Sequence, residues 1–364
     1  MEPVEELEPV FDEPLPTYEE PELEESEKEE SPSSPSRKEK AKTLAKKAKT
    51  FIEQEIQDGD MQKFLKFCAD FGKSYINQSE FKMRLWNWKQ SEKYINENSW
   101  DGRAHYKLAH NKFSDYSEKE FSKLLGYALP AEKKAKNIAR MPNSANIADS
   151  IDWTQKGMVS AVQDSGMCGS DWAFSAIGAV EGAYGVMQGE FTALSAQQLL
   201  DCTGSATSCA GGTQSQAFDY LKTAKAMSAE SYPYNSGYPA KGECKYDESK
   251  ATSALVDMYT FADEGDVNMM KMALTHQPIA ASIQADSKAF QLYTSGVLDL
   301  ETCGTELNHA IVMVGYGNHE GTDYWIVKNS WGTNWGESGY VKIAIKPGQG
   351  ICGIQKSAVW TVLQ

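Results

Sequence analysis

The sequence contains no apolar run of about 18 residues or more, so no transmembrane segment is expected. Its opening, MEPVEELEPVFDEPLPTYEE, has neither a basic start nor the apolar stretch that a secretory signal needs. A cytoplasmic location follows as the expectation. Positive charge is in deficit, 36 Lys and Arg against 51 Asp and Glu, for a net charge of −15. The basic residues show no aromatic interleaving and no nucleic-acid motif, so nucleic acid is not expected as a partner. No cofactor and no metal site is expected either.

What is present is unevenly placed. Residues 1–36 hold 14 Asp or Glu against one Lys, together with 7 of the 13 prolines. Such a stretch cannot bury enough apolar area to offset its ordering entropy, and reads as a disordered acidic tail. The charge sign then flips. Seven of the thirteen residues 37–49 are Lys or Arg, in an Ala- and Lys-rich run that reads as a basic helical linker over 37–50. Beyond it, a hydrophobic content of 41%, with 9 Trp, 17 Tyr and 13 Phe, is ample for packed globular domains.

Residues 51–127 read as helical, then mixed. Phe64, Leu65, Phe67, Cys68 and Phe71 are spaced as one apolar helix face. A second helix is expected from about Gln78 to Asn98. Within it Glu80, Arg84, Trp88 and Ile95 fall on one stripe, with Glu80 and Arg84 as a favourable i,i+4 pair. In HNKFSDYSEKEF a strand-like patch precedes a helix that Ser114 or Asp115 could cap. The positions Glu80, Arg84, Trp88, Ser91, Ile95 and Ser99, followed by Ala109, Asn111, Phe113 and Asp115, resemble the two interspersed patterns of the prodomain of papain and cathepsin L-like cysteine peptidases.

From about residue 147 that resemblance is nearly continuous. VQDSGMCGSDWAFSAIGAVEG, LSAQQLLDC, CAGGTQSQAFDYL, LNHAIVMVGYG and YWIVKNSWGTNWGESGY follow in family order. It implies an α+β papain-like fold of two lobes, a helical left lobe and an antiparallel barrel-like right lobe, preceded by a helical inhibitory-type prodomain. The residues agree. WAFSAIGAVEGAYGVM has only Ser175 and Glu181 as polar positions, as a buried helix should, and the second half reads as aromatic and β-branched strands with Gly turns. The chain thus divides into a tail 1–36, a basic linker 37–50, a prodomain-like segment 51–127, a linker 128–146 and a peptidase-like domain 147–364.

Acyl transfer requires a nucleophile, a base, a group that orients the base, and an oxyanion hole. By resemblance His309 matches the base, Asn329 its orienter, and Trp331 the indole that covers their hydrogen bond. His309 lies 138 residues past position 171, inside the usual range of about 130–150, and Asn329 slightly overshoots it. The nucleophile is missing. Where the family has Cys-Gly-Ser-Cys-Trp, this chain has CGSDW, with Asp171 in the nucleophile's place. A carboxylate is a weak nucleophile towards an amide, and Ser170 is turned roughly 100° away around the helix start. The family's oxyanion Gln falls on Ser165, too short to reach, a loss worth roughly 10² to 10³ in rate. Asp171 at a helix N-terminus could instead pair structurally with His309.

The resemblance also implies three disulfides, Cys168–Cys209, Cys202–Cys244 and Cys303–Cys352, with Cys68 left over. Matched half-cystines argue for an oxidising compartment, against the argument from the N-terminus, so lysosomal or secreted stands as the alternative location. Gly211 and Gly212 would pair an extended peptide by strand addition, and Thr213, Ser282, Leu307 and Ser357 fall where the family's main specificity pocket is lined. The reading that follows is a catalytically inactive papain-like protein that keeps its own prodomain in the cleft and serves as a structural or binding component of a protein assembly, with a cytoskeletal or ciliary assembly as the guess. Two alternatives stay open: an active peptidase with an altered nucleophile, and a decoy or inhibitor that captures peptides.

Overall fold

Residues 59–98, 105–128, 147–235 and 242–364 are described by the computed structural model. They belong to one compact unit, Asp58–Gln364. The acidic tail and the basic linker lie outside the described residues, as does Ser99.

Two helices open the described chain, α1 (Gly59–Asp70) and α2 (Gln78–Asn98). Phe64, Phe67, Leu85 and Trp88 form their shared core, with the Phe64 and Trp88 rings 5.7 Å apart. Leu65 departs from the expected apolar face and is 45% exposed, because the helical turn carries it past the seam with α2. The stripe on α2 faces the segment that follows it. Arg84 bridges Glu80 (3.7 Å) and Glu120 (2.8 Å) and donates to the Asp115 carbonyl, while Ser91 Oγ donates to the Ser114 carbonyl at 2.7 Å.

Next come β1 (Tyr106–Leu108) and the short α3 (Glu118–Ser122). The cap of α3 is Ser117, in a reciprocal capping box with Glu120, rather than the expected Ser114 or Asp115. Asp115 is instead engaged by Lys73 at 2.8 Å and by the Tyr75 hydroxyl at 3.0 Å.

The larger part of the chain begins with β2 (Ile151–Asp152) and the central α4 (Asp171–Gln188), followed by α5 (Ala196–Cys202) and α6 (Gln214–Leu221). Fourteen residues of α4 are buried, so this is an enclosed helix. Beyond Asp171, its two buried polar side chains are both satisfied. Ser175 Oγ donates to the Ile311 carbonyl, and Glu181 accepts from Ser160 Oγ and the Leu194 N–H. Ser160 in turn accepts from Lys328, so a carboxyl and an ammonium share one buried hydroxyl behind α4. Burial pushes Glu181 up and Lys328 down.

The sheet lobe consists of β3 (Val256–Phe261), α7 (Val267–His276), β4 (Ile279–Ile283), α8 (Lys288–Gln291), β5 (Tyr293–Leu298), β6 (His309–His319), β7 (Thr322–Lys328), β8 (Tyr340–Ala344) and β9 (Val359–Leu363). Strands run in the order β1-β5-β8-β7-β6-β4-β9-β3, with β2 added on β6. This path is not closed into a barrel, which corrects the barrel-like expectation. The pairing is antiparallel except for β5 with β8, which is parallel. β1, from the prodomain-like segment, extends the sheet by pairing with β5. One apolar core fills the sheet lobe around Trp325, Trp335 and Tyr293, and another surrounds α4, α5 and α6. The start of α4 and the start of β6 meet where these two cores adjoin, which brings Asp171 to His309.

Candidate active site

Asp171 is the first residue of α4, His309 the first of β6, and Asn329 follows the end of β7. None is more than 2% exposed. His309 Nδ1 lies 2.6 Å from Asp171 Oδ2, and Nε2 lies 2.9 Å from Asn329 Oδ1. The Ser330 N–H also donates to Asn329 Oδ1 at 2.8 Å, which identifies that atom as the oxygen. Nε2 of His309 therefore carries a proton. Trp331 stacks over the imidazole with ring centroids 4.6 Å apart.

The carboxylate of Asp171 meets four donors. Oδ2 accepts from the Gly126 N–H at 3.0 Å and the Ala310 N–H at 3.2 Å besides facing Nδ1. Oδ1 accepts from the Trp172 N–H at 2.6 Å. Of the three backbone N–H groups on this carboxylate, that of Trp172 belongs to the first turn of α4, and those of Gly126 and Ala310 come from other segments. Oδ2, the oxygen that faces His309, is thus crowded by three donors, while Oδ1 has one. Ser170 is wholly buried, its hydroxyl held by Tyr234 at 2.9 Å and turned towards the Cys168 carbonyl. Burial pushes the Tyr234 phenol up to about 12, so that hydroxyl stays a donor.

Ser165 sits close by in the chain's path. Its N–H donates to the Ser330 carbonyl at 2.8 Å, and its carbonyl accepts from the Tyr234 hydroxyl at 2.9 Å.

The prodomain-like segment closes over this centre. Phe113 and Phe121 each set a ring edge-on to Trp331 with centroids 5.3 Å apart, and Lys112 pairs with Asp164. Past α3, residues 126–128 lie in the cleft. Gly212 N–H donates to the Gly126 carbonyl, and Ala128 N–H donates to the Gly212 carbonyl, both at 3.0 Å. Tyr127 N–H donates to the Asn308 carbonyl at 3.3 Å. A Cβ on Gly126 would stand 1.9 Å from the Gly169 carbonyl oxygen, so only glycine fits there.

Of the expected peptide-pairing glycines, Gly212 alone pairs. Gly211, at a φ of 126°, turns its N–H to the Ser208 carbonyl and its own carbonyl to Thr207. Of the expected pocket residues, Ser282, Leu307 and Ser357 converge on the Tyr127 side chain. The Thr213 hydroxyl is instead engaged in capping α6. Gly126, Tyr127 and Ala310 were not singled out by sequence reasoning. Their part depends on backbone groups, and the one available signal was a lone glycine just past the expected prodomain helix.

Residues 147–362 match the papain family cysteine protease domain, and residues 64–121 match the cathepsin propeptide inhibitor domain (I29). The chain belongs to the papain family. Among its relatives, the probable cysteine protease RD21B of Arabidopsis thaliana is 39% identical over 306 residues, which are 81% of this chain and 65% of that protein. For RD21C of the same plant the share of the relative is 64%, so the papain-family chain spans less than two thirds of the length of either. Fruit bromelain of Ananas comosus is 37% identical over 85% of this chain and 88% of its own. Among solved structures, digestive procathepsin L 3 of the Tenebrio molitor larval midgut matches with a TM-score of 0.74 at 35% identity, over 84% of this chain and 99% of that one. The recombinant stem bromelain precursor matches with a TM-score of 0.75 at 32% identity.

These relatives correct the expected location. Cys168–Cys209, Cys202–Cys244 and Cys303–Cys352 are bonded, while Cys68 is free. A papain-family chain with three disulfides and a propeptide inhibitor domain, similar to plant proteases and a digestive midgut procathepsin, fits the oxidising route and not the cytoplasm or a cytoskeletal or ciliary assembly. The lysosomal or secreted alternative agrees with it. No helix among the described residues is long and apolar enough to cross a membrane.

Proposed function

We propose that this papain-family chain is catalytically inactive, that its prodomain stays in the cleft, and that it serves as a structural or binding component of a protein assembly. The observation that carries the reading is a buried carboxylate, Asp171, held by four donors at the position that matches the family's nucleophilic cysteine. Asp171 then holds His309 in register with Asn329 and Trp331. Ser165, matching the oxyanion Gln, removes a second catalytic element. The division at residues 36, 50, 127 and 146 goes with this reading, the tail and basic linker being attachment points for protein partners.

The test compares the full-length chain with its Asp171→Cys, Ser165→Gln double variant, scoring self-cleavage after the prodomain and hydrolysis of a fluorogenic peptide. A silent wild type that stays full length, beside a self-processing variant, is the expected result. Wild-type hydrolysis that His309→Ala abolishes would overturn the reading in favour of an active peptidase with another nucleophile. That second reading is favoured by one observation, that the relatives are named cysteine proteases. Co-purification with a protein complex at fixed stoichiometry checks the assembly role.

A further inference from the structure

A groove of about 720 Å³ lies between α2, the start of α3 and the first residue of α8, and shares no lining residue with the cleft. Trp86, Tyr94 and Tyr116 give it aromatic walls, and Lys119 and Lys288 stand among its charges. α2 and α3 belong to the prodomain-like segment and α8 to the peptidase domain, so the groove exists only while the two stay together. The tyrosines are fixed by packing. Tyr94 lies against Leu108, Ala289 and Leu292, and the Tyr116 ring faces Lys73 at 5.0 Å and Arg84 at 5.6 Å. Trp86 is different. It is 63% exposed, whereas the other described tryptophans are all buried, and Met83, one turn earlier on α2, is exposed as well. The charges are unbalanced. Lys93 pairs with Glu97 at 3.8 Å, but among the described residues neither Lys119 nor Lys288 has an ion-pair partner. Burial pushes the Lys288 ammonium down to about 8, and Glu118 pulls it back only in part. A carboxylate placed beside it would restore the charged form.

We infer that this groove docks an acidic segment of a partner protein, with an aromatic ring of that segment on Trp86 and a neighbouring carboxylate on Lys288 and Lys119. Aromatic anchors at the centre of an interface carry most of its binding free energy, and complementary charge sets its specificity. A basic or wholly apolar segment would cover Lys288 and leave its ammonium buried without a partner, which costs more than it gains. The inference rests on the reading of this chain as a binding component of an assembly, and gives that reading a surface. It also gives the retained prodomain a part to play, since shedding that segment would remove every wall of the groove but Lys288.

Calorimetric titration of the full-length chain with an N-acetylated, C-amidated Glu-Glu-Tyr-Glu-Glu peptide tests it. Trp86→Ala and Lys288→Met are each expected to weaken binding about tenfold. Serine in place of the peptide's tyrosine should weaken it by a similar factor, and a Lys-Lys-Tyr-Lys-Lys peptide should not bind. Thermal unfolding of each variant checks the fold. Trp86, being exposed, decides the matter if Lys288→Met does not fold. Absence of binding, equal binding of the lysine peptide, or an affinity unchanged in Trp86→Ala overturns the inference. A complex that co-purifies equally with the wild type and with Trp86→Ala would leave the assembly reading standing and remove this surface from it. Hydrolysis of the peptide would overturn inactivity alone.

Discussion

Asp171 and His309 face each other across 2.6 Å with no solvent exposure on either side chain. The pair joins the first residue of the central helix to the first residue of the longest strand, and so the helical core to the sheet. Breaking a buried pair by removing one partner costs about 3–5 kcal/mol. Asp171→Ala should therefore lose stability of that order in urea unfolding. His309→Ala introduced on top of it should cost much less than it does alone. Additive losses would mean the two residues are not coupled.

Gly126→Ala should expel residues 126–128 from the cleft, because the added Cβ meets backbone at 1.9 Å and not a side chain that can swing aside. Limited proteolysis should then cut this segment at least tenfold faster, with the thermal unfolding of the sheet lobe unchanged. Undiminished protection of the segment would mean that the backbone can shift to admit the methyl group.

Acid should loosen the prodomain-like segment in two stages. Burial holds His110 below its ordinary 6.5, against the pull of Glu92, so stability falls as pH drops below 6.5 and the folded state resists protonation. Burial alone would raise Glu92 and Glu120. Lys63 and His110 outweigh it for Glu92, and Ser117 and Arg84 for Glu120, holding both below their ordinary 4.5. Their contribution is present above 4.5 and is lost as pH falls through their folded values. Exchange protection of α1 and α2, followed from pH 7 to pH 3, should fall in both ranges. His110→Gln should remove the upper step and Glu120→Gln should shrink the lower. Flat protection across the whole range would refute this.

Opening Cys168–Cys209 should weaken the site's own support. The bond closes a 41-residue separation and ties the loop before Asp171 to the strand-pairing loop at Gly212. A Cys168→Ala, Cys209→Ala variant should lose about 2–4 kcal/mol in denaturant unfolding. It should also raise exchange at the Ala128 amide, which bonds to Gly212. A stability equal to wild type would show that packing alone fixes the loop.

Much of this molecule was legible in one dimension because its signals are local. The span of α2, the enclosed character of α4 with Ser175 and Glu181 as its polar exceptions, and the ordered motifs around Asp171, His309 and Asn329 all follow from spacing along the chain. So does the family. The cap of α3 lies two or three residues past the expected Asp115 or Ser114 because several hydroxyl and carboxylate side chains compete there, and only the reciprocal bond with Glu120 selects Ser117. The barrel expectation failed because sheet closure depends on how the end strands meet, which no single strand encodes.

Residue types and their order determined that this chain has a papain-family body, a prodomain, and an aspartate at the head of its central helix. Tertiary structure alone decided what that aspartate does. Its four donors come from Gly126, Trp172, His309 and Ala310, three of which are far from it in sequence. Two of those three are backbone amides, which every residue but proline carries, so their identity is invisible until the fold aims them. The same holds for Tyr127, whose pocket is assembled from residues more than 150 positions away. Hydrogen bonds depend on direction and distance, and these are set where separate elements pack together.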